Sequence, residues 1–264
     1  MKQDFIFDGK YGSDFNLVIA NITNDSSTDT SVVSKTEFST FKPSNMNKQY
    51  FTGSNESEVL STTFQTICMK NCNVVEFDEI LIEQITKWMC RDDGYHRFAF
   101  INDNEEIIEY NAKIDINKIK YGTRIIGLEF SVETDSQVGY TKKKIMKTLS
   151  TNESFVINDN SSKNGSCFID MTIKCGISGD FMMTSEFNNK KRIITINNCR
   201  QDEIITFTNM CTIDSSISYR IIGDDFNYIF PKIFSNVNTS TNTFTVNMPC
   251  IVTAEYELRR KVGI

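Results

Sequence analysis

The chain has 264 residues, a net charge of −6 and a hydrophobic fraction of 39%. Those values fit a folded protein of two domains, each of about 100–200 residues, and exclude a disordered one. A single histidine, His96, excludes every site that needs two, among them His-rich zinc hydrolases, HExxH proteases and two-His iron centres.

In chain order, Met1-Lys2-Gln3-Asp4 shows neither an apolar h-region nor a cleavage site. No apolar run approaches the ~20 residues of a membrane span. A chain made in a reducing cytoplasm, with no membrane contact, is therefore expected. Short strands are predicted at residues 17–22, 31–40 and 59–67, separated by polar stretches at 24–30 and 43–57. The second stretch holds Tyr50-Phe51. An aromatic pair in a long polar loop reads as an arm lying on a neighbour or as a cluster folded onto its own domain.

Residues 78–91 break the period-two pattern. Leu81, Ile85 and Trp88, with Ile82 and Met89 beside them, form one apolar stripe of a helix. Asp78 is the expected N-cap, Arg91 suits the last turn, and Gly94 suits a left-handed residue beyond it. Trp88 reads as core. His96 opens the next strand, 97–101, which Asn102-Asp103-Asn104 joins to 107–116 as a hairpin. In 124–132, Ile126, Leu128, Phe130 and Val132 share one face, the alternation of a half-buried strand. Lys142-Lys143-Lys144 and Lys147 then read as a solvated face or linker. The domain boundary is placed near 148–154, giving domains 1–149 and 150–250, with a closing strand in 251–264 that is free to return to the first.

The second half is strand-only. Strands are predicted at 167–174, 180–187, 192–197, 204–208, 243–248 and 251–258, and a two-residue turn at Asn164-Gly165. In 243–248, Phe244, Val246 and Met248 share a face. In 251–258, Val252, Ala254, Tyr256 and Leu258 do the same.

The eight cysteines lie at 68, 72, 90, 167, 175, 199, 211 and 250. A reducing compartment argues against a disulfide framework. Cys68 and Cys72, with Cys90 and His96, are the one arrangement worth inspecting for a metal, but a zinc site normally shows two tight pairs. Cys68, Cys175, Cys199, Cys211 and Cys250 read as buried thiols. GxSxG, P-loop and GxGxxG motifs are all absent. The pairs Asp92-Asp93, Glu105-Glu106 and Asp224-Asp225 sit at turns and do not place two carboxylates across a cleft. No catalytic, cofactor or metal residue is assigned, and the chain is not read as an enzyme.

The opening Asp4-Phe5-Ile6-Phe7-Asp8-Gly9, followed by Ser13-Asp14-Phe15-Asn16-Leu17-Val18-Ile19, resembles the start of the distal tail (Dit) proteins of tailed phages. So do Ile85-Thr86-Lys87-Trp88-Met89 running into Arg91-Asp92-Asp93-Gly94-Tyr95, Asp225-Phe226-Asn227-Tyr228-Ile229-Phe230-Pro231, and the ending 250–262 with Tyr256 and Arg259-Arg260-Lys261-Val262. Asn16 departs from the pattern, where a glycine is common.

The resemblance implies a mainly β, two-domain protein. Its N-terminal domain would be a β-sandwich or split-barrel-like ring domain with one α-helix, and its C-terminal domain a galectin-like β-sandwich. It also implies a structural role at the virion tail tip: a homo-oligomeric ring, six-membered in the family, assembled in the host cytoplasm. Such a ring joins the tail-tube protein to the baseplate hub or tail-associated lysin. It offers docking sites for receptor-binding proteins and lets DNA pass through its lumen without specific binding. The interface residues assigned on this basis are Phe5, Phe7, Asp8, Asp14, Phe15, Tyr50, Phe51, Arg259 and Arg260. An acidic ring would repel DNA phosphates and let them slide. Two alternatives share the features. One is a carbohydrate-binding accessory protein, with Tyr219, Tyr228 and Phe230 as a possible sugar platform. The other is a tail-tube or tube-terminator subunit.

Overall fold

The computed structural model describes residues 4–22, 37–44, 47–55, 59–102, 106–236 and 240–264. The polar loop 24–30, the first part of the strand expected at 31–40, parts of 43–57, and Asp103, Asn104 and Glu105 lie outside the described residues. The chain divides into two compact units, Met1–Thr141 with Lys261–Ile264, and Lys142–Arg260.

The first unit runs β1 (Asp4–Phe7), β2 (Lys10–Tyr11), a 3-10 turn (Gly12–Phe15), β3 (Leu17–Ile19), β4 (Glu37–Phe41), β5 (Tyr50–Asn55), β6 (Ser61–Lys70), β7 (Asn73–Val75), α1 (Glu79–Met89), β8 (His96–Ile101), β9 (Tyr110–Tyr121) and β10 (Arg124–Thr134). Among the described residues, eight strands form one sheet in the order β2-β1-β8-β9-β10-β6-β3, with β7 paired to β6, while β4 and β5 pair only with each other. Local turns set the register. Asp8-Gly9 joins β1 to β2 with both residues at positive φ (48° and 77°), and Asn71-Cys72 joins β6 to β7 in the same way (50° and 61°). Two successive positive φ values are the type I′ geometry that matches strand twist.

The helix forms as its apolar spacing dictates. Ile82, Ile85, Trp88 and Met89 are buried among Phe5, Phe7, Phe64, Phe98, Leu128 and Phe130 of the sheet. Asp78 is the N-cap: Leu81 N donates to Asp78 Oδ1 at 2.7 Å. The C-terminus closes at Cys90, whose N–H donates to Thr86 O, rather than on Gly94. Gly94 does take positive φ (125°), further along, in the approach to β8. β10 buries Leu128, Phe130 and Val132 as expected, but not Ile126. A bulge between Ile125 and Gly127 inserts one residue and reverses the phase, so Ile125 packs against the core instead.

The second unit continues with β11 (Gly139–Leu149, which begins in the first unit), β12 (Ser154–Asn158), β13 (Gly165–Phe168), β14 (Asp170–Cys175), β15 (Gly179–Phe187), β16 (Lys190–Cys199), β17 (Ile204–Phe207), β18 (Ile213–Ser215), α2 (Ile222–Asp225), β19 (Lys232–Ser235), β20 (Thr241–Val246) and β21 (Cys250–Arg260). A five-stranded sheet β11-β21-β14-β17-β18 and a four-stranded sheet β12-β20-β15-β16 share one core. Met171, Ile173, Phe207, Val252 and Ala254 come from the first sheet, and Phe155, Phe181, Met183, Ile194, Phe244 and Val246 from the second. This is a β-sandwich. The fold is mainly β, as the sequence implies.

Three local expectations need correction. The lysine run at 142–147 is the solvated face and not the linker of the two readings: its lysines are exposed on β11, which pairs with β21 at the edge of the five-stranded sheet. Lysines on an edge strand discourage further pairing. The units accordingly divide at 141/142, and β21 belongs to the second unit, so only residues 261–264 go with the first. Asn164-Gly165 is not a hairpin turn, because the strands it separates pair elsewhere, β12 with β20 and β13 with β19. The two-residue hairpin of this unit is Asn188-Asn189, with φ of 50° and 60°, between β15 and β16.

Candidate interaction surfaces

The assigned interface residues fall into distinct settings. Phe5 and Phe7 are fully buried. Phe5 stacks on Trp88 at 6.1 Å and meets Phe64 at 5.0 Å, and Trp88 Nε1 donates to Phe7 O at 2.9 Å. Their rings build the core of their own chain and present nothing to a neighbour. Phe15 stacks on Trp88 at 4.5 Å and is half-buried. Asp14 is exposed, but its carboxylate accepts from Tyr11 N at 2.9 Å and so fixes the 3-10 turn. The aromatic opening thus anchors β1 and the 3-10 turn on the helix.

Asp8 belongs to an ion-pair cluster at the surface. Arg91 reaches Asp8 Oδ2 at 3.3 Å and Asp93 Oδ2 at 2.5 Å. His96 Nε2 lies 2.8 Å from Asp93 Oδ1, and His96 Nδ1 lies 3.5 Å from Asp8 Oδ1. Hydrogen bonds from Arg91, then His96, hold the Asp93 carboxyl well below the usual carboxylate range. The cluster ties the β1–β2 turn to the end of α1. The one histidine therefore has carboxylate partners, but no nucleophile is among the groups it meets here.

Arg259 is turned inward. Its Nη2 donates to Ser235 Oγ at 3.0 Å and lies 3.9 Å from Asp159 Oδ2, a side chain with no exposure. Gly165, at φ 135°, leaves room for it: a Cβ there would sit 3.1 Å from Arg259 Nη1. Arg260 Nη1 donates to Asn160 O at 3.0 Å. Both arginines fasten β21 to the 159–165 segment.

Tyr50 and Phe51 are different. They lie on β5, in the β4–β5 hairpin, which also carries Phe38 and Phe41, two rings outside the assigned set. Phe38 is 69% exposed, Phe41 60%, Tyr50 46% and Phe51 64%. Phe38 and Phe51 meet edge to face at 5.6 Å. The signal for the missed pair was Phe38-Ser39-Thr40-Phe41 itself, two rings three residues apart next to polar loops. Tyr219 and Tyr228 are also exposed, whereas Phe230 packs against Phe226 and Phe207, so the three make no shared platform.

Cys68, Cys175, Cys199 and Cys250 are buried, as expected; Cys211 is half-buried, at positive φ in the turn before β18. Burial pushes the Cys250 thiol up to about 11. Cys175 is raised further, by its hydrogen bond with Cys199 and by burial. Cys72 and Cys90 are exposed, while Cys68 lies in the core. Among the described residues, no three His, Cys, Asp or Glu side chains form a group able to hold a metal, and no helix is long and apolar enough to cross a membrane.

Residues 1–136 match a family model described as the phage tail protein N-terminal domain, and residues 138–256 one described as the phage tail C-terminal domain. No curated protein matches the sequence. The crystal structure of SPP1 Dit, described as a paradigm of the hub adsorption apparatus in phages infecting Gram-positive bacteria, superposes with a TM-score of 0.63 at 8% identity. The match covers 97% of this chain and 98% of that one. At that identity the likeness is one of fold. A chain of the phage p2 baseplate in its activated conformation with Ca gives a TM-score of 0.49 at 9% identity, covering 98% of this chain and 99% of that one.

Proposed function

From the premise that this chain belongs to the phage tail protein family, over both its N-terminal and its C-terminal domain, we propose that it is a distal tail protein of the virion tail tip. Six copies close into a ring that joins the tail tube to the baseplate hub or tail-associated lysin and offers docking sites to receptor-binding proteins. The role is structural, and no chemistry is assigned to it.

The exposed β4–β5 hairpin carries this reading. Exposed apolar surface concentrated in one patch marks a site of association. Four rings on a two-stranded hairpin that pairs with no other strand of the described residues have the character of an arm awaiting a neighbour. The Dit-like fold over nearly the whole chain supports the same conclusion. Each copy adds a charge of −6, so a closed ring surrounds its lumen with like charge that repels DNA phosphates.

Native mass spectrometry and negative-stain imaging of the purified full chain test the proposal. A closed ring of about six is expected, by the preference of homo-oligomers for closed symmetry. A stable monomer at high concentration would overturn it, and open stacks would favour a tail-tube subunit instead.

A further inference from the structure

We infer that the cleft beside the β15–β16 hairpin of the second unit binds a sugar phosphate or polyol phosphate, its rings taking the sugar or polyol face and its cations the phosphate. The cleft has a volume of ≈ 650 Å³, in the range of small-molecule sites.

The pairing of β15 with β16 builds it. Phe181 faces Ile196 and Met183 faces Ile194 across the hairpin, and all four are core. Two residues on, the same inward face carries Ser185 opposite Arg192, then Phe187 opposite Lys190. The core face of the sandwich thus ends in two cations and a ring. Phe187 stacks on Phe234 of β19 at 5.4 Å and 23°, and Lys232 Nζ stands 5.6 Å over the Phe234 ring.

Charge decides the class of ligand. Lys191, which also borders the cleft, is paired with Glu186 at 3.5 Å, but among the described residues neither Lys190 nor Arg192 has a carboxylate partner. Edge strands do carry inward charges to block pairing, and β16 is an edge. That purpose needs no stacked ring pair and no cleft. Rings flanked by unpaired cations suit a ligand with an apolar C–H face and a compact anion, since a guanidinium recognises phosphate by paired hydrogen bonds. The site does not depend on ring assembly; a chain that stayed monomeric would still bind.

Isothermal titration calorimetry on the full chain, with glucose 1-phosphate, glucose, inorganic phosphate and poly(glycerol phosphate) as probes, tests the inference. Glucose 1-phosphate is expected to bind at least tenfold more tightly than glucose or inorganic phosphate. A stronger response to poly(glycerol phosphate) would make a polymer the source, and an equal or weaker one a free sugar phosphate. Lys190→Gln and Arg192→Gln should each weaken binding about fivefold, and Phe187→Ala should abolish it. Lys174→Gln, on β14 and outside the cleft, should leave it unchanged. Lys190 is exposed beside the turn, so its variant keeps the fold if Arg192→Gln does not. Equal affinity for glucose, binding accounted for by inorganic phosphate alone, or no binding by any probe would each overturn the inference.

Discussion

Replacing Phe38 and Phe51 together by serine in the full chain removes the two most exposed rings of the β4–β5 arm. A covered phenylalanine buries roughly 200 Å². Phe38 at 69% exposure and Phe51 at 64% therefore have roughly 130 Å² each left to cover, about 3 kcal/mol apiece at ~25 cal/mol per Å². Ordering the arm and imperfect packing take up part of that gain. If half survives, each contact between copies loses ~3 kcal/mol, or ~100-fold in affinity. Within one chain the double variant forfeits only the edge-to-face contact at 5.6 Å, worth about 1 kcal/mol. Sedimentation velocity over a concentration series should show the variant dissociating at concentrations where the parent stays assembled. Its circular dichroism and its unfolding midpoint should barely move. Unchanged assembly would refute the reasoning. So would a loss of single-chain stability well above 1 kcal/mol, which would mean that the arm packs on its own domain.

Three further outcomes follow from the same structure. Glu203 is buried and accepts from Ser215 Oγ at 2.6 Å and Arg200 N at 2.8 Å while pairing with Arg220; Glu203→Gln leaves that cation only Asp225, at 3.1 Å, as a carboxylate partner and should cost about 2 kcal/mol in urea unfolding, with a cost under 1 kcal/mol counting against a buried pair. Burial pushes Tyr110 up to about 12, and its O–H donates to Gly263 O at 2.6 Å. Because the folded value is the higher one, this stabilisation is full below pH 10 and is lost as pH rises to 12, by about 2 kcal/mol, and Tyr110→Phe should flatten that slope in alkaline melts. Asp78→Ala should lower stability by about 1 kcal/mol and Asp78→Ser should restore most of it, since either side chain can accept from Leu81 N; equal stability of all three proteins would deny the cap.

The helix was legible because its stripe, its cap and its sequence neighbours all act within four residues of each other. The strands at 124–134, 241–246 and 250–260 were legible because one buried face imposes strict alternation. β1 and β12 were missed as strands: each spans at most five residues, too short for periodicity to stand out. The candidate surfaces were less legible. Phe5, Phe7, Tyr50 and Phe51 are all aromatics next to polar residues. Two are core and two are exposed because the first pair sits on a strand between β2 and β8, while the second sits on a hairpin that pairs with no other strand of the described residues. The cationic cleft escaped notice because Lys190 and Arg192 gain their meaning from Phe234, more than forty residues away.

The sequence by itself determined what depends on near neighbours and on composition. These are a mainly β chain with one substantial helix, an acidic balance, the lack of catalytic motifs, and the order of short aromatic motifs that pointed to phage tails. The tertiary structure alone decided which side chains meet. It turned Arg259 from a surface candidate into a half-buried fastening, set the solvated lysine run on a strand edge, and placed β21 in the second unit. The physical reason is that alternation tells which face of a strand is buried but not which strand it pairs with. Pairing is settled by contacts remote in sequence, and those contacts fix what remains exposed for a partner.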